Sequence, residues 1–277
     1  SGANNVAVGT NALDANTTAS NNTAVGKEAL GANTTASNNT AVGTSALVAN
    51  TTGSVNVAVG AIALSSNTTG TYNTGVGYGS LQLNTTGEQN TAVGRLALME
   101  NTTGTLNVAM GVNALLVNTT GSSNIAIGTQ ALTASTTASN NTAVGYQALL
   151  ASTTAAGNTA VGNISLAAAT TGGSNTAIGY NAGGSITTGQ ANLCLGYNAG
   201  DYQATLTSGI GNVLVGPYCD AVSATANDQH CFGYNLDAEA GYTTIGAAAS
   251  DIRAAFGNVT WATVSDERYK KDIVDST

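Results

Sequence analysis

Residues able to do chemistry are scarce in this sequence, and they crowd into residues 201–277. The densest group is Cys219-Asp220 followed by Asp228-Gln229-His230-Cys231. Thiols, carboxylates and one imidazole are metal-ligand types, but this spacing fits no standard zinc pattern. No metal and no cofactor is therefore expected. A reactive thiolate needs a basic neighbour, and none lies close in sequence. The three cysteines, Cys194, Cys219 and Cys231, are an odd number and give no clean disulfide framework. Asp201, Asp220, Asp228, Asp237 and Glu239 are the only candidates for a glycosidase pair, which needs two carboxylates close together. Tyrosine is the other candidate. Tyr78, Tyr146, Tyr180, Tyr197 and Tyr234 each directly follow a glycine. An exposed tyrosine can stack on a sugar ring at small entropic cost; it can equally pack on a neighbouring segment or protomer. Loops on a regular scaffold are where binding usually sits. The expected ligand contacts are Tyr180, Tyr197, Tyr202, Tyr218, Tyr234, Asp201 and Asp220.

What positions these residues is a repeat. An aliphatic-glycine step falls at Gly9, Gly26, Gly43 and every 17 residues thereafter to Gly196, 12 copies without insertion or deletion. The consensus is N-x-A-[VI]-G-x-x-A-L-x-x-N-T-T-[GA]-x-x. The asparagine four before the glycine is present in all 12 copies, from Asn5 to Asn192. A leucine four after it occurs in ten, and a Thr-Thr pair eight and nine after it in 11. A fixed period without indels means identical stacked units, and 17 residues are too few for a helix pair.

The stretch before each glycine alternates, as in Val57/Val59 and Ile125/Ile127, which predicts a short strand. The alternating β-branched residues are expected to face inward and the alanine between them outward. Ala-Leu after the glycine is expected as a second inward anchor, in a second strand or a helical turn. Asn-Thr-Thr is expected to turn the chain, with asparagines bonding their own backbone and stacking as amide ladders. The same triplet matches a glycosylation sequon seven times, although its recurrence in a coil needs no glycan. Cys194 and Cys231 occupy the alanine position and so read as small buried residues. The expected fold is all-β, a parallel β-solenoid or β-roll of 17-residue coils, about 58 Å long for 12 coils at about 4.8 Å each.

Composition narrows the function classes. Lys plus Arg number 6 against 14 acidic residues, a net charge of −8, so nucleic-acid binding is not expected. No apolar run reaches the length of a membrane span, so membrane insertion is not expected. Only Asp14, Lys27, Glu28, Glu88, Arg95 and Glu100 are charged before residue 201. A coil this slim and this poor in charge exposes apolar surface along its length. A homotrimer, intertwined or side by side, is the natural closed arrangement. After Gly196 the glycine spacing becomes irregular, with insertions expected at about 201–211 and 217–228. The organisation expected is therefore a regular shaft or head over 1–200, irregular coils over 201–246, connector strands over 247–264, and a distinct segment over 265–277.

The N-x-[VIT]-A-[VI]-G motif over about residues 4–200 resembles the head repeats of trimeric autotransporter adhesins, which are trimers of parallel β-rolls. It departs from them in period, theirs being nearer 14 residues. Val264-Ser265-Asp266-Glu267-Arg268-Tyr269-Lys270-Lys271-Asp272-Ile273 is similar to the opening of the self-cleaving intramolecular chaperone of phage tail fibres and tailspikes. That opening reads S-D-x-R-x-K-x-x-I, and Ser265, Asp266, Arg268, Lys270 and Ile273 match it. The resemblance implies a chaperone that assembles the trimer and is then lost by autoproteolysis before Ser265. Ser265 would be the nucleophile and Lys270 the activating base. Residues 265–277 are only the start of such a domain and are not expected to cleave unaided.

The expectation is an extracellular adhesive fibre, on a virion tail or bacterial surface, contacting a glycan or surface protein. It is not expected to be an enzyme apart from that self-cleavage. The alternatives are a polysaccharide-degrading tailspike and, on the strength of the Thr-Thr pairs, an ice-binding solenoid.

Overall fold

The computed structural model describes residues 2–203, 205–239, 241–247, 250–256 and 262–263. Among these residues there is no helix; 17 strands form a single sheet. Strands β1 to β13 run one per coil from Val6–Val8 to Val213–Val215, each of three residues. They are followed by β14 (His230–Tyr234), β15 (Tyr242–Ala247), β16 (Ser250–Ala255) and β17 (Ala262–Thr263). The chain winds a parallel β-solenoid of about 14 turns. From β1 to β12 the register steps by one repeat, as in Val6↔Thr23, Ala7↔Ala24 and Val8↔Val25. Leu193 then pairs with Val213, Val213 with His230, and His230 with Thr243. The coil between Gly196 and Gly216 is thus three residues longer. The 217–228 stretch is not an insertion, because it fills one coil of ordinary length. At β16 the direction reverses, Tyr242 pairing antiparallel with Ala255, and the parallel stack ends.

The facing of the strands is opposite to the sequence expectation. The central alanine points inward: Ala24, Ala41, Ala58 and Ala92 are fully buried. The aliphatic residues flanking it point outward, and Val42, Val59 and Ile127 are 36%, 37% and 37% exposed. The reason is the thinness of the coil. The strand faces a wall made of the Ala-Leu step, itself fully buried as Ala29-Leu30 or Ala97-Leu98. Gly75, standing at the inward strand position, shows the clearance: a Cβ there would lie 3.0 Å from Ser80 Oγ across the interior. Methyl groups fit such a gap opposite the leucine wall; Leu214 takes the inward place only in β13, whose coil has Asp220 where the wall leucine would be. In the ten coils that carry it, this leucine supplies the only large aliphatic side chain of the interior.

The leucine wall is a run of turns, neither strand nor helix. Leu30, Leu47 and Leu64 have φ of 50°, 51° and 51°. Left-handed backbone costs an L-residue about 1–2 kcal/mol, whereas burying a leucine contributes about 1.5–3 kcal/mol, so burial wins. The wall still bonds coil to coil, Leu30 N–H donating to Ala46 O at 3.0 Å and Leu47 N–H to Ala63 O at 3.0 Å. One residue in each coil has no such latitude. Gly26 and Gly111 have φ of +139° and +135°, and a Cβ on either would lie 2.4 and 2.6 Å from the carbonyl oxygen of Gly43 and Gly128.

Asparagine closes the third corner twice over. Asn39 Oδ1 accepts the backbone N–H of Asn56 at 2.8 Å, and Asn39 Nδ2 donates to Gly53 O at 2.9 Å. Asn50 Nδ2 donates to the same Gly53 O at 2.9 Å and to Asn33 Oδ1 at 3.1 Å. Two asparagine columns thus clasp one row of carbonyls. The sequon residues Asn33, Asn50, Asn67, Asn84, Asn101 and Asn118 are fully buried in this clasp, which leaves no room for a glycan. The first threonine of the pair uses its hydroxyl in the stack, Thr51 Oγ1 donating to Thr68 O at 3.1 Å. A single column of exposed threonines remains, including Thr35, Thr52 and Thr69.

Two outcomes follow from these columns. Gly111→Ala should lower stability by about 3 kcal/mol or more, whereas Gly31→Ala, whose Cβ has a nearest neighbour at 3.2 Å, should cost under about 1 kcal/mol; thermal unfolding distinguishes them. The second asparagine column ends at Asn118, where the next coils carry Ser135 and Ser152, and Asn118 Oδ1, Ser135 Oγ and Ser152 Oγ are buried without a hydrogen-bond partner. Ser135→Asn extends the ladder and should stabilise by about 1 kcal/mol in the same measurement.

Candidate functional site

The expected contact residues converge on the last coils. Tyr180 and Tyr197 follow glycines one coil apart, and their rings stack with centroids 5.2 Å apart at 13°. Tyr218 then displaces the pattern. Pro217 takes the place directly after Gly216, and Tyr218 comes one residue later. Its ring meets Tyr197 edge-on at 5.3 Å and Tyr234 at 5.9 Å and 87°. Tyr202, carried on the longer coil, tilts against Tyr218 at 4.6 Å. Five tyrosines therefore form one continuous ridge with Tyr218 at its hub. Each aromatic contact contributes about 0.5–1.5 kcal/mol, yet Tyr180, Tyr197, Tyr202 and Tyr234 stay between 45% and 55% exposed. The rings pack on one another and still face solvent. Loss of water, then the neighbouring Tyr197, Tyr234 and Tyr202, push the Tyr218 hydroxyl above its ordinary value.

The two aspartates differ in role. Asp201 Oδ2 accepts from Asn181 Nδ2 at 2.6 Å and ties the longer coil to the coil before it. Asp220, expected as a ligand contact, is fully buried. Its Oδ2 accepts the backbone N–H of Tyr202 at 3.1 Å and of Gln203 at 2.5 Å, and its Oδ1 that of Ala221 at 3.1 Å. A carboxylate so enclosed cannot meet a ligand. It latches the segment that presents Tyr202, which makes it a positioning residue for the ridge.

The remaining chemistry-bearing residues do not converge. Among the described residues no three His, Cys, Asp or Glu side chains gather to hold a metal. Neighbours on a strand point to opposite faces, so His230 is outside, against Thr243 Oγ1 at 3.3 Å and the Phe256 ring at 4.9 Å. Cys231 is inside and fully buried, as are Cys194 and Cys219. Burial, then Asp220 and Asp201, push the Cys194 thiol up to about 12. Glu239 is paired with Arg253, which also meets Asp251 at 3.1 Å. Ser265 and Lys270 lie outside the described residues.

The five ridge tyrosines are those named from sequence, but the sequence did not show that Tyr218 is their hub. Tyrosine after glycine marks Tyr180, Tyr197 and Tyr234, but the hub follows Pro217. The latch by Asp220 has no local signal, because its acceptors face a segment one coil away. No protein-family model, curated protein or solved structure matches this chain. Among the described residues no helix is long and apolar enough to cross a membrane.

The latch can be checked by hydrogen exchange. Asp220→Ala should speed amide exchange at Tyr202 and Gln203 about tenfold or more while leaving the coil around Leu98 unchanged.

Proposed function

We propose that this chain is the shaft and contact region of a homotrimeric adhesive fibre, displayed extracellularly on a phage tail or a bacterial surface. The observation that carries the reading is the outer face of the sheet. From β1 to β13 it holds no charged residue in any coil. Its outward column instead carries Val8, Val42, Val59, Met110, Ile127 and Ile178, each at least 36% exposed. An uncharged aliphatic stripe running the length of a rod is not covered by the chain itself. Burying it against two further copies along the axis covers all three stripes and closes the assembly. The resemblance of residues 265–277 to the opening of a trimerising chaperone supports the same stoichiometry, with maturation by cleavage before Ser265 when the whole chaperone is attached.

The tyrosine ridge is the region proposed to touch the cell surface. Elsewhere the exterior is mostly threonine, serine and aliphatics, and its other exposed tyrosines, Tyr72, Tyr78 and Tyr146, stand singly rather than in a cluster. The ridge alone gathers large amphipathic side chains, and tyrosine is among the residues that dominate recognition surfaces. Tyr180 and Tyr197 stack through one face each and stay nearly half exposed, so they present ring surface and hydroxyls together, which suits a hydroxyl-rich, uncharged partner such as a glycan or a polar protein surface.

Light scattering tests the assembly and cell binding tests the ridge. The chain of 27.1 kDa should have three times that mass in solution. Met110→Asp with Ile127→Asp should reduce the mass to that of one chain. Tyr197→Ala with Tyr234→Ala should retain the trimer and weaken attachment to the target surface about tenfold or more. A monomeric wild-type chain overturns the fibre reading.

A further inference from the structure

Cys219 and Cys231 stand in a relation that the repeat defines. Cys219 is three residues after Gly216 and Cys231 is two before Gly233. Both positions normally carry alanine and both face the interior. Ser165 and Ala177 stand in the same relation three coils earlier, and there the Ser165 hydroxyl lies 3.0 Å from the Ala177 carbonyl oxygen. A side chain at the first position therefore reaches the backbone of the second, across the seam between consecutive coils. The two cysteines obey this geometry. Cys219 Sγ lies 3.3 Å from Gly233 O, two residues past Cys231, and Cys231 Sγ lies 3.5 Å from Leu236 O. An inward sulfur also reaches the wall of the coil before its own: a Cβ on Gly183, one coil before Cys194, would lie 3.5 Å from Cys194 Sγ. Cys194 is the odd one out, between Gly183 and Gly200 in the earlier coils.

We propose that Cys219 and Cys231 are a disulfide-forming pair that locks the coil of β13 to that of β14 and so fixes Tyr218 against Tyr234. The oxidant is a low-molecular-weight disulfide. The Cys219 thiolate attacks one of its sulfurs; that S–S bond breaks and one small thiol leaves. Cys231 then loses its proton and attacks the Cys219 sulfur of the mixed disulfide, forming the protein S–S bond and releasing the second small thiol. Two protein thiols are oxidised and one small disulfide is reduced to two thiols. The side-chain contact with Cys231 holds the Cys219 thiol below its ordinary value. The same contact, then burial, pushes Cys231 up. Cys219 is accordingly the attacking sulfur. Both sulfurs are covered in the folded chain, so the exchange takes place before the last coil closes or while it is transiently open.

The position gives the bond a purpose. A solenoid frays from its ends, and these coils are the last before the antiparallel reversal. They carry the hub and the far edge of the ridge. The closed loop would span 219–231, a length for which a disulfide restricts the unfolded chain substantially.

The test is direct. The chain is refolded with reduced and oxidised glutathione, denatured, and alkylated, and its mass and peptide map are recorded. One alkylated thiol at Cys194 and a linked Cys219–Cys231 peptide are expected. Three alkylated thiols, or a link through Cys194, overturn the proposal. The variant Cys219→Ala with Cys231→Ala carries the residues the repeat uses at these places and should fold. Reductant should lower the thermal transition of the wild type by about 5 °C and leave the variant unmoved; equal behaviour of the two also overturns it. Neither readout depends on trimer formation or surface binding, so this inference and the fibre reading fail separately.

Discussion

The close approach of glycine to glycine at one corner of the coil governs the rest of the structure. Parallel strands must stack at about 4.8 Å, so every atom of a coil lies directly above its counterpart. A corner that turns sharply with positive φ brings its own carbonyl under the Cα of the coil before it, which is why a Cβ on Gly60 would lie 2.5 Å from Gly77 O. Only a residue without a side chain permits the corner, and only a constant coil length keeps the corners in register. The period of 17 and the glycine column are therefore one constraint seen twice. Each further column, of alanine, leucine, asparagine or threonine, is the residue type that tolerates having itself as neighbour above and below.

That self-neighbour condition also explains the near absence of charge. A charged side chain repeated at every coil would face a like charge about 4.8 Å away, and such a column is destabilising. Amides escape the difficulty because each carries a donor and an acceptor. Asn67 donates to Asn50 Oδ1 at 2.9 Å while Asn84 donates to Asn67 Oδ1 at 2.8 Å, so stacking satisfies the column. Buried polar groups are costly when left unpaired, and the clasp on the glycine carbonyls pairs them at each step. The interior is thus held by an aliphatic column of one leucine per coil and by amide ladders, a division of labour that a core of one large side chain per coil requires.

The repeat, the strand before each glycine and the asparagine ladders were all legible in the sequence, because each is a consequence of periodicity. The facing of the strands was not. Alternation of Val57 and Val59 about Ala58 states only that two faces exist. It does not say which is inside, and the usual preference for burying the larger residue fails where the gap admits only methyls. The leucine wall was legible as an inward anchor but not in its backbone, since left-handed φ at Leu30 or Leu47 runs against local preference and persists through burial and coil-to-coil hydrogen bonds. Asp220 was misjudged for a related reason. Its neighbours in sequence suggest an exposed turn, and its partners lie at Tyr202 and Gln203, one coil away.

Departure from regularity is what allows a feature to exist on such a rod. Within the uniform coils any side chain is copied along the axis, so a surface there is a texture rather than a site. The three extra residues between Gly196 and Gly216 break that equivalence. They project Tyr202 sideways and require a latch, which Asp220 supplies from the next coil at the cost of a buried carboxylate satisfied by backbone N–H groups. Pro217 shifts the following tyrosine by one place, turning its ring across the stack so that Tyr197, Tyr202 and Tyr234 meet it from three sides. The aromatic ridge is therefore not an extension of the repeat but a product of its interruption. The same interruption places the ridge next to the end of the parallel stack, where the chain no longer has to look the same from one coil to the next.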